Sequence, residues 1–500
     1  MRNRKRGIIK YFLAGGVGLV LVAIGVFFLV QFVTKTGVFR IPGVVYYDES
    51  LTSEEVADLK TVFGSEIDLY KDLTIKARNV LRKPEPVNNE FVTNIAVPVA
   101  DFYSVETDIS VERADELFNN CEDCWYKMIN LSDLSFDKKL LSINGEYYLD
   151  TFKSGAVFRV ISFESELYEK EVATLAEKWY KKTIYPEESD TLTLVQTGVT
   201  AFSRLMNAKM NEVGTGEYFA AGLKDFMSQY DIIHTSSEAS FSDWAPTSGA
   251  TGTPICADKR FMTTLTTLGL DIVELTGNHN QDCGDEAATE SIEMYESAGI
   301  KIVGGGRTAT EAAIPLNIEE KHNNVTMLAY NESTGGATYD NTPGANQYYE
   351  EQAVADIATA KARGDFVIVD VQYYECSMYV SDTEDGTCDA ADSAAGDQVG
   401  FFRHLIDLGA DVVVGTSAHQ PQTFELYGTG VIFYGLGNIF FDQYRWPGTT
   451  RSLMLVHHIY NNRLLQVQVV PTIYDNNFQT RLTDEDTTKW FLERLIDARP

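Results

Sequence analysis

The chain has 500 residues, 44% hydrophobic and 23% charged, a globular rather than disordered composition, and at that length two domains with appendages are expected instead of one small core. Its formal net charge is -31. Five basic and no acidic residues fall in residues 1–10, so the rest is more acidic still, about -36, and is repelled by nucleic acid; no nucleic-acid partner is expected.

Residues 1–10 form a basic tail, and the run Tyr11–Val33 that follows carries no charge. Twenty-three mostly apolar or small residues suffice to cross a bilayer as a helix. The run is long for the apolar core of a signal peptide, and no clear small-x-small cleavage site ends it. With the basic end cytoplasmic, residues 11–33 are predicted to be a single-pass transmembrane signal anchor and the main body extracytoplasmic; a cleaved signal peptide is the alternative. Six cysteines fit an oxidising compartment. Their closeness in sequence suggests three local bridges, Cys121–Cys124, Cys256–Cys283 and Cys376–Cys388, although spacing alone does not choose among the connectivities.

Beyond the anchor, Val44–Tyr47, Phe91–Pro98 and Gly155–Phe163 read as strands, and Ser53–Phe63, Val111–Phe118 and Ser165–Tyr180 as helices. Residues 45–185 are therefore expected to form a smaller mixed α/β domain, with no chemical motif and no assignable role. The polar stretch Lys181–Asp190, with Pro186, places a linker at 186–191. From Leu192 strands and helices alternate. The strands are Leu192–Gln196, Ile232–Thr235, Asp271–Leu275, Lys301–Val303, Val325–Ala329, Phe366–Val371, Asp411–Val414 and Val431–Tyr434. The helices are Phe202–Asn211, Tyr218–Gln229, Lys259–Leu268, Asp285–Ala298, Glu350–Arg363 and Gly396–Leu408. Continuous apolar strands with crossover helices imply an α/β fold with sheet covered on both faces over 192–475. Leu453–Tyr460 and Leu464–Val470 read as a strand pair, and a closing helix falls in 476–500.

Polar groups gather just past four of these strands: Glu238, then Asn278, His279 and Asp282, then Gln372 and Glu375, then His419 and Gln422. In doubly wound sheets such strand ends share one rim where ligands bind. A carboxylate, an amide and two imidazoles there suit a divalent cation or acid–base work. The bland alternatives are an N-cap carboxylate at Glu238, a satisfied turn histidine at His419 and a structural Gln372–Glu375 pair.

Three ordered blocks carry a family resemblance: Leu270–Gly306 (L-D-I-V-E-L-T-G-N-H-N-Q-D-C-G, then A-G-I-K-I-V-G-G-G), Leu408–Gln422 (L-G-A-D-V-V-V-G-T-S-A-H-Q-P-Q) and Tyr434–Gln443 (Y-G-L-G-N-I-F-F-D-Q). Over residues 192–445 the chain resembles the CapA capsule-synthesis, poly-gamma-glutamate proteins, whose domain is similar to calcineurin-like metallophosphatases. The resemblance implies a layered α/β/β/α domain and a divalent metal (Mn, Zn, Fe or Mg) held by Glu238, Asn278, His279 and His419. It implies His279, Asp282, Glu238 and Arg204 as catalytic candidates, with Gln372, Glu375, Gln422 and Asn438 completing the rim.

The chain departs from that pattern at positions that matter. Val199 stands where a metal-binding Asp is expected, Gln372 falls in the stretch where the family has His, and Ser417 replaces the first His of the last block. Val cannot ligate and Ser binds weakly, so a two-cation centre loses ligands. Two functions follow. One is an envelope-anchored hydrolase or transferase acting on an amide or phosphoester of a capsule or poly-gamma-glutamate-type surface polymer. The other is a catalytically degenerate binding or assembly protein that partners the polymer or its synthesis machinery. A polyanionic polymer sits poorly against so acidic a body unless cations or a local basic patch intervene, although salt screens beyond about 8 Å.

Overall fold

The computed structural model describes residues 44–47, 51, 53–63, 68–71, 75–80, 90–120, 126–152, 155–163, 174–175, 186, 188–248, 254–332, 335–338, 341–373, 397–444 and 448–500. The predicted anchor at 11–33, the predicted helix Ser165–Tyr180 apart from residues 174–175, Glu375, and Cys121, Cys124, Cys376 and Cys388 lie outside them. Among the described residues no helix is long and apolar enough to cross a membrane.

The chain divides into two compact units, residues 1–95 with 158–184 and residues 96–157 with 185–500. The first contains Val44–Tyr47 paired parallel with Asp68–Lys71, the helix Ser53–Phe63, and Ile75–Val80 antiparallel to Phe158–Phe163. The stretch expected to form one domain over 45–185 thus contributes its middle, 96–157, to the second unit. The Gln466 side chain binds that segment tightly, accepting from the Leu140 N–H (2.8 Å) and donating to the carbonyls of Ser135 (2.9 Å) and Lys138 (2.6 Å).

The second unit is built on fourteen strands that form two mixed sheets: β1 (Leu192–Thr200), β2 (Ile232–Ser237), β3 (Ile272–Glu274), β4 (Lys301–Val303), β5 (Leu316–Glu320), β6 (Asn323–Asn331), β7 (Phe366–Gln372), β8 (Val412–Thr416), β9 (Phe424–Tyr427), β10 (Gly430–Phe433), β11 (Asn438–Phe440), β12 (Arg451–Tyr460), β13 (Arg463–Ile473) and β14 (Arg481–Leu482). One sheet runs β4-β3-β2-β1-β12-β13-β14, with β11 also paired to β1; the other runs β5-β6-β7-β8-β10-β9. In the first sheet β4, β3, β2 and β1 run parallel, as does β11 against β1, and β12, β13 and β14 continue it antiparallel. In the second, β6, β7, β8 and β10 are parallel and the edge strands β5 and β9 antiparallel.

Alternation along each strand sorts side chains into layers. Leu192, Leu194, Ile232 and Ile272 join Val325, Met327, Phe366, Ile368, Val412 and Val414 in one cluster between the sheets. Their neighbours Val195, Val199, Ile233 and Val273 pack instead on helix residues Met206, Met210, Leu265 and Ile292. On the other sheet, Val367, Val369 and Val413 pack on Ala353, Ile357, Phe402 and Leu405. Helix, sheet, sheet and helix follow one another, the layered α/β arrangement expected for 192–475.

One predicted helix is divided. Tyr218–Gln229 forms two short turns, Glu217–Ala220 and Lys224–Met227. Gly222 lies between them, so close to the Thr480 carbonyl that an added Cβ would sit 2.2 Å from that oxygen. The close approach of the C-terminal segment takes precedence over the apolar period.

Candidate functional site

The apolar strand β3 ends at Glu274, and the chain turns through Gly277 before the helix Asp285–Ser297 begins. The Asn280 side chain donates to the carbonyls of Leu275 (3.1 Å) and Gly277 (3.2 Å), holding the turn closed. A Cβ at Gly277 would stand 2.7 Å from Glu238 Cα, so glycine there lets the turn lie against the end of β2. Residue 238 and residues 278–282 are thereby brought together from two strand ends.

His279 Nδ1 lies 3.0 Å from Asp282 Oδ2. A carboxylate only accepts, so Nδ1 carries the hydrogen and the neutral ring presents Nε2 as its basic atom. Asp282 is fixed in turn, accepting the Ile255 N–H at 2.9 Å, and the Cys256–Cys283 disulfide ties the same turn to the short strand Cys256–Asp258. Burial pulls the imidazole pKa down, but the Asp282 hydrogen bond and the negative charges of Glu238 and Asp282 outweigh it against the opposing Arg204. The net shift is upward. Glu238 is fully buried, while His279 and Asp282 keep about a fifth of their side-chain surface exposed, at 22% and 18%.

A second corner forms on the last block. The Arg204 guanidinium is clamped by Asp442, with Nε 3.1 Å from both carboxylate oxygens and Nη2 2.5 Å from Oδ1. Asp442 also accepts the Leu205 N–H at 3.0 Å, capping the helix Leu205–Val213. Arg204 lies 5.1 Å over the Phe441 ring, and the His419 ring is also 5.1 Å from it. His419 Nδ1 meets Asn438 Oδ1 at 2.9 Å. The Asn438 amide nitrogen donates to the Thr449 carbonyl (3.1 Å), which fixes its orientation and leaves Nε2 of a neutral His419 as the ring's basic atom.

The remaining rim residues are occupied in building the rim. Gln372 is buried, donating to Asn278 Oδ1 at 3.3 Å while its oxygen receives Thr416 Oγ1 at 3.4 Å. Gln422 is buried against Gln398 (3.4 Å). Val199 is 1% exposed within the core beneath the helices, and its strand pairs with Asn438. Ser417 takes a left-handed backbone (φ 78°).

Among the described residues no three His, Cys, Asp or Glu side chains are grouped to hold an ion. Glu238, Asn278, His279 and His419 supply one carboxylate, one amide and two imidazoles, and neither Val199 nor Ser417 adds a strong ligand, a donor set too small for two cations that share ligands. What survives is an imidazole oriented by a carboxylate, next to a buried second carboxylate.

Sequence reasoning missed two features. Asp442 was visible as the end of the Tyr434–Gln443 block, but its partner Arg204 is 238 residues away. The second is a polar seam between the sheets, directly continuing the inward alternation of their strands. Gln196 donates to Asp370, His234 Nε2 lies 3.2 Å from Asp370, and His457 Nε2 lies 3.0 Å from Gln196 Oε1. Glu274, which accepts from Thr276, is pushed well above the ordinary carboxylate range by burial and then by the Asp370 charge. Its signal in the sequence was polar residues at the inward positions of otherwise apolar strands.

A family model described as bacterial capsule synthesis protein PGA_cap matches residues 193–443. The chain is 23% identical to capsule biosynthesis protein CapA of Bacillus anthracis over 60% of this chain and 73% of that protein. It is 28% identical to PGA biosynthesis protein CapA of Bacillus subtilis (strain 168), over 43% of this chain and 53% of the relative. It is 27% identical to a probable polyglutamine synthesis accessory protein of Mycobacterium tuberculosis, over 46% and 63%. The chain thus spans from about half to three quarters of the length of these relatives. The family match covers half of the chain and contains every rim residue described above: the protein belongs to the bacterial capsule synthesis protein PGA_cap family.

Proposed function

We propose that the protein works in the synthesis, retention or processing of a capsule or poly-gamma-glutamate-type surface polymer, as an extracytoplasmic body anchored through residues 11–33. The polymer or its synthesis machinery is the partner. Its metallophosphatase-like rim acts through one proton-transferring imidazole and not through a pair of cations. The observation that carries this reading is the His279–Asp282 hydrogen bond at 3.0 Å, set beside the buried Glu238. Asp282 holds the tautomer, and Glu238 and Asp282 together favour the imidazolium, so Nε2 is poised to give a proton to a leaving amide nitrogen or ester oxygen. Arg204, clamped by Asp442, orients the corner and is not a free anion anchor.

The test is turnover of glutamyl oligomers and generic phosphoesters by the full chain in lipid nanodiscs. His279→Ala is expected to lower kcat by about 100-fold or more, and the rate to fall as pH rises through the raised imidazole pKa. Full activity in His279→Ala would sink the catalytic reading.

The burial of Val199 at a lost ligand position favours a second reading, a binding or assembly protein. In that case His279→Ala weakens polymer capture without any turnover to lose. Metal analysis of the purified chain bears on both readings: one or more tightly held Mn, Zn, Fe or Mg ions per chain would return the metal-assisted mechanism to the rim.

A further inference from the structure

A cavity of about 310 Å3 lies away from the rim, within the second unit. Its walls come from the segment 102–147, from β9, β13 and β14, and from the closing helix Glu485–Asp497. Most of the lining is apolar, including Phe102, Phe424, Val469, Leu492 and Ile496. In a chain of net charge -31, no Asp or Glu lines this cavity among the described residues, and Lys139 is the one charged residue among the described lining residues.

The Lys139 ammonium has three donors, of which one reaches the Ser104 carbonyl at 2.7 Å. Glu106 is the acidic group whose charge it feels, and Glu106 is itself paired with Lys489 at 3.4 Å. Burial, only partly opposed by Glu106, pulls the amine down to about 8, as expected of a cation set among apolar groups without a contacting counter-ion. Volumes of this size hold small ligands, and a few polar groups on an apolar wall set their orientation.

We propose that this cavity binds an aliphatic monocarboxylate, with the tail against the apolar wall and the carboxylate on Lys139. A single negative charge matches the single ammonium, whereas a phosphate dianion would bring uncompensated charge into an apolar site. A neutral chain would fill the volume but leave the ammonium unanswered.

The test is site-resolved acylation of lysines on the full chain in lipid nanodiscs, read by mass spectrometry, with octanoate, 1-octanol and acetate as probes. Lys138, exposed and paired with Asp137, is the internal control. At 1 mM, octanoate is expected to slow Lys139 labelling at least five-fold and leave Lys138 unchanged, while octanol and acetate change Lys139 labelling less than two-fold. Labelled octanoate should also bind saturably at one site per chain, and at least ten-fold more weakly to Lys139→Met. Equal protection by octanol, or none by octanoate, overturns the proposal on the wild-type chain alone, whatever the variant's folding.

Discussion

The seam between the sheets makes a pH-dependent prediction that one substitution isolates. His457 is fully buried, and burial first, then the neighbouring His458 and His234, lower its pKa from 6.5 to about 3. The unfolded chain therefore takes up a proton at His457 as pH falls below 6.5, and the folded chain does not until about 3. Stability from this residue is complete above 6.5 and drains away over that interval. Between pH 7.5 and 5.0 the loss is about 2 kcal/mol, from a gap of one and a half units between pH 5.0 and the unfolded pKa at 1.36 kcal/mol per unit. The wild-type slope alone is a poor guide. Glu274 and Asp150, whose pKa values burial raises, gain stability over the same fall in pH. His457→Gln removes only the histidine, and its neutral amide can still donate to Gln196 Oε1. Urea unfolding followed by tryptophan fluorescence at both pH values should show the variant losing about 2 kcal/mol less than wild type on acidification. An unchanged difference between the two pH values would mean that His457 is protonated in the fold, and the seam would need another description.

Asp442→Ala leaves the Arg204 guanidinium, 6% exposed, without its carboxylate; destabilisation by about 3–5 kcal/mol is expected in chemical denaturation, and Asp442→Asn should recover the helix cap but not the charge. Removing the Cys256–Cys283 bridge by substituting both residues with Ser frees a loop closed across 27 residues and should cost about 3.5 kcal/mol on the chain-entropy estimate, with faster hydrogen exchange at the Ile255 N–H. Gly222→Ala places a methyl group against the Thr480 carbonyl and should lower stability by about 1–3 kcal/mol, read as a lower Tm; an unchanged Tm would show that the C-terminal segment gives way freely.

The central strands were legible because both faces of each are buried. Leu192–Thr200 and Phe366–Gln372 are covered along their whole lengths, and such strands read as continuous apolar runs. The two edge strands of the second sheet were not. Leu316–Glu320 is half exposed and carries Glu319 and Glu320, and Phe424–Tyr427 carries Glu425 for the Arg403 pair, so neither shows an apolar run. At the site, Glu238, Asn278, His279 and Asp282 could be brought together because the rim of a parallel sheet collects strand ends. Gln422 obeyed the same rule by position and yet lies buried against Gln398, since a strand-end residue faces the rim or the core depending on the turn that follows. The Arg204–Asp442 clamp needed the fold itself, because no local pattern links residues so far apart. The segment 96–157 gave weak periodicity for a related reason: part of its hydrogen bonding is completed by Gln466.

Strand β1 sits in the middle of its sheet, with β2 on one side and β12 on the other, and its contact with β12 joins Gln196 to His457 across 261 residues. A chain that emerges from its N-terminal end must carry Leu192–Thr197 of β1 with one edge open until the residues of β12 arrive. Open apolar edges invite pairing with other chains, and contacts so distant in sequence form slowly. The family's rim is complete by Gln443, before β12 begins, so a chain halted there would own the site residues and lack the strand that keeps their sheet closed. Expression of fragments ending near that point should give aggregates, and the sequence beyond the family-matched span is as much a condition of a usable site as the span itself.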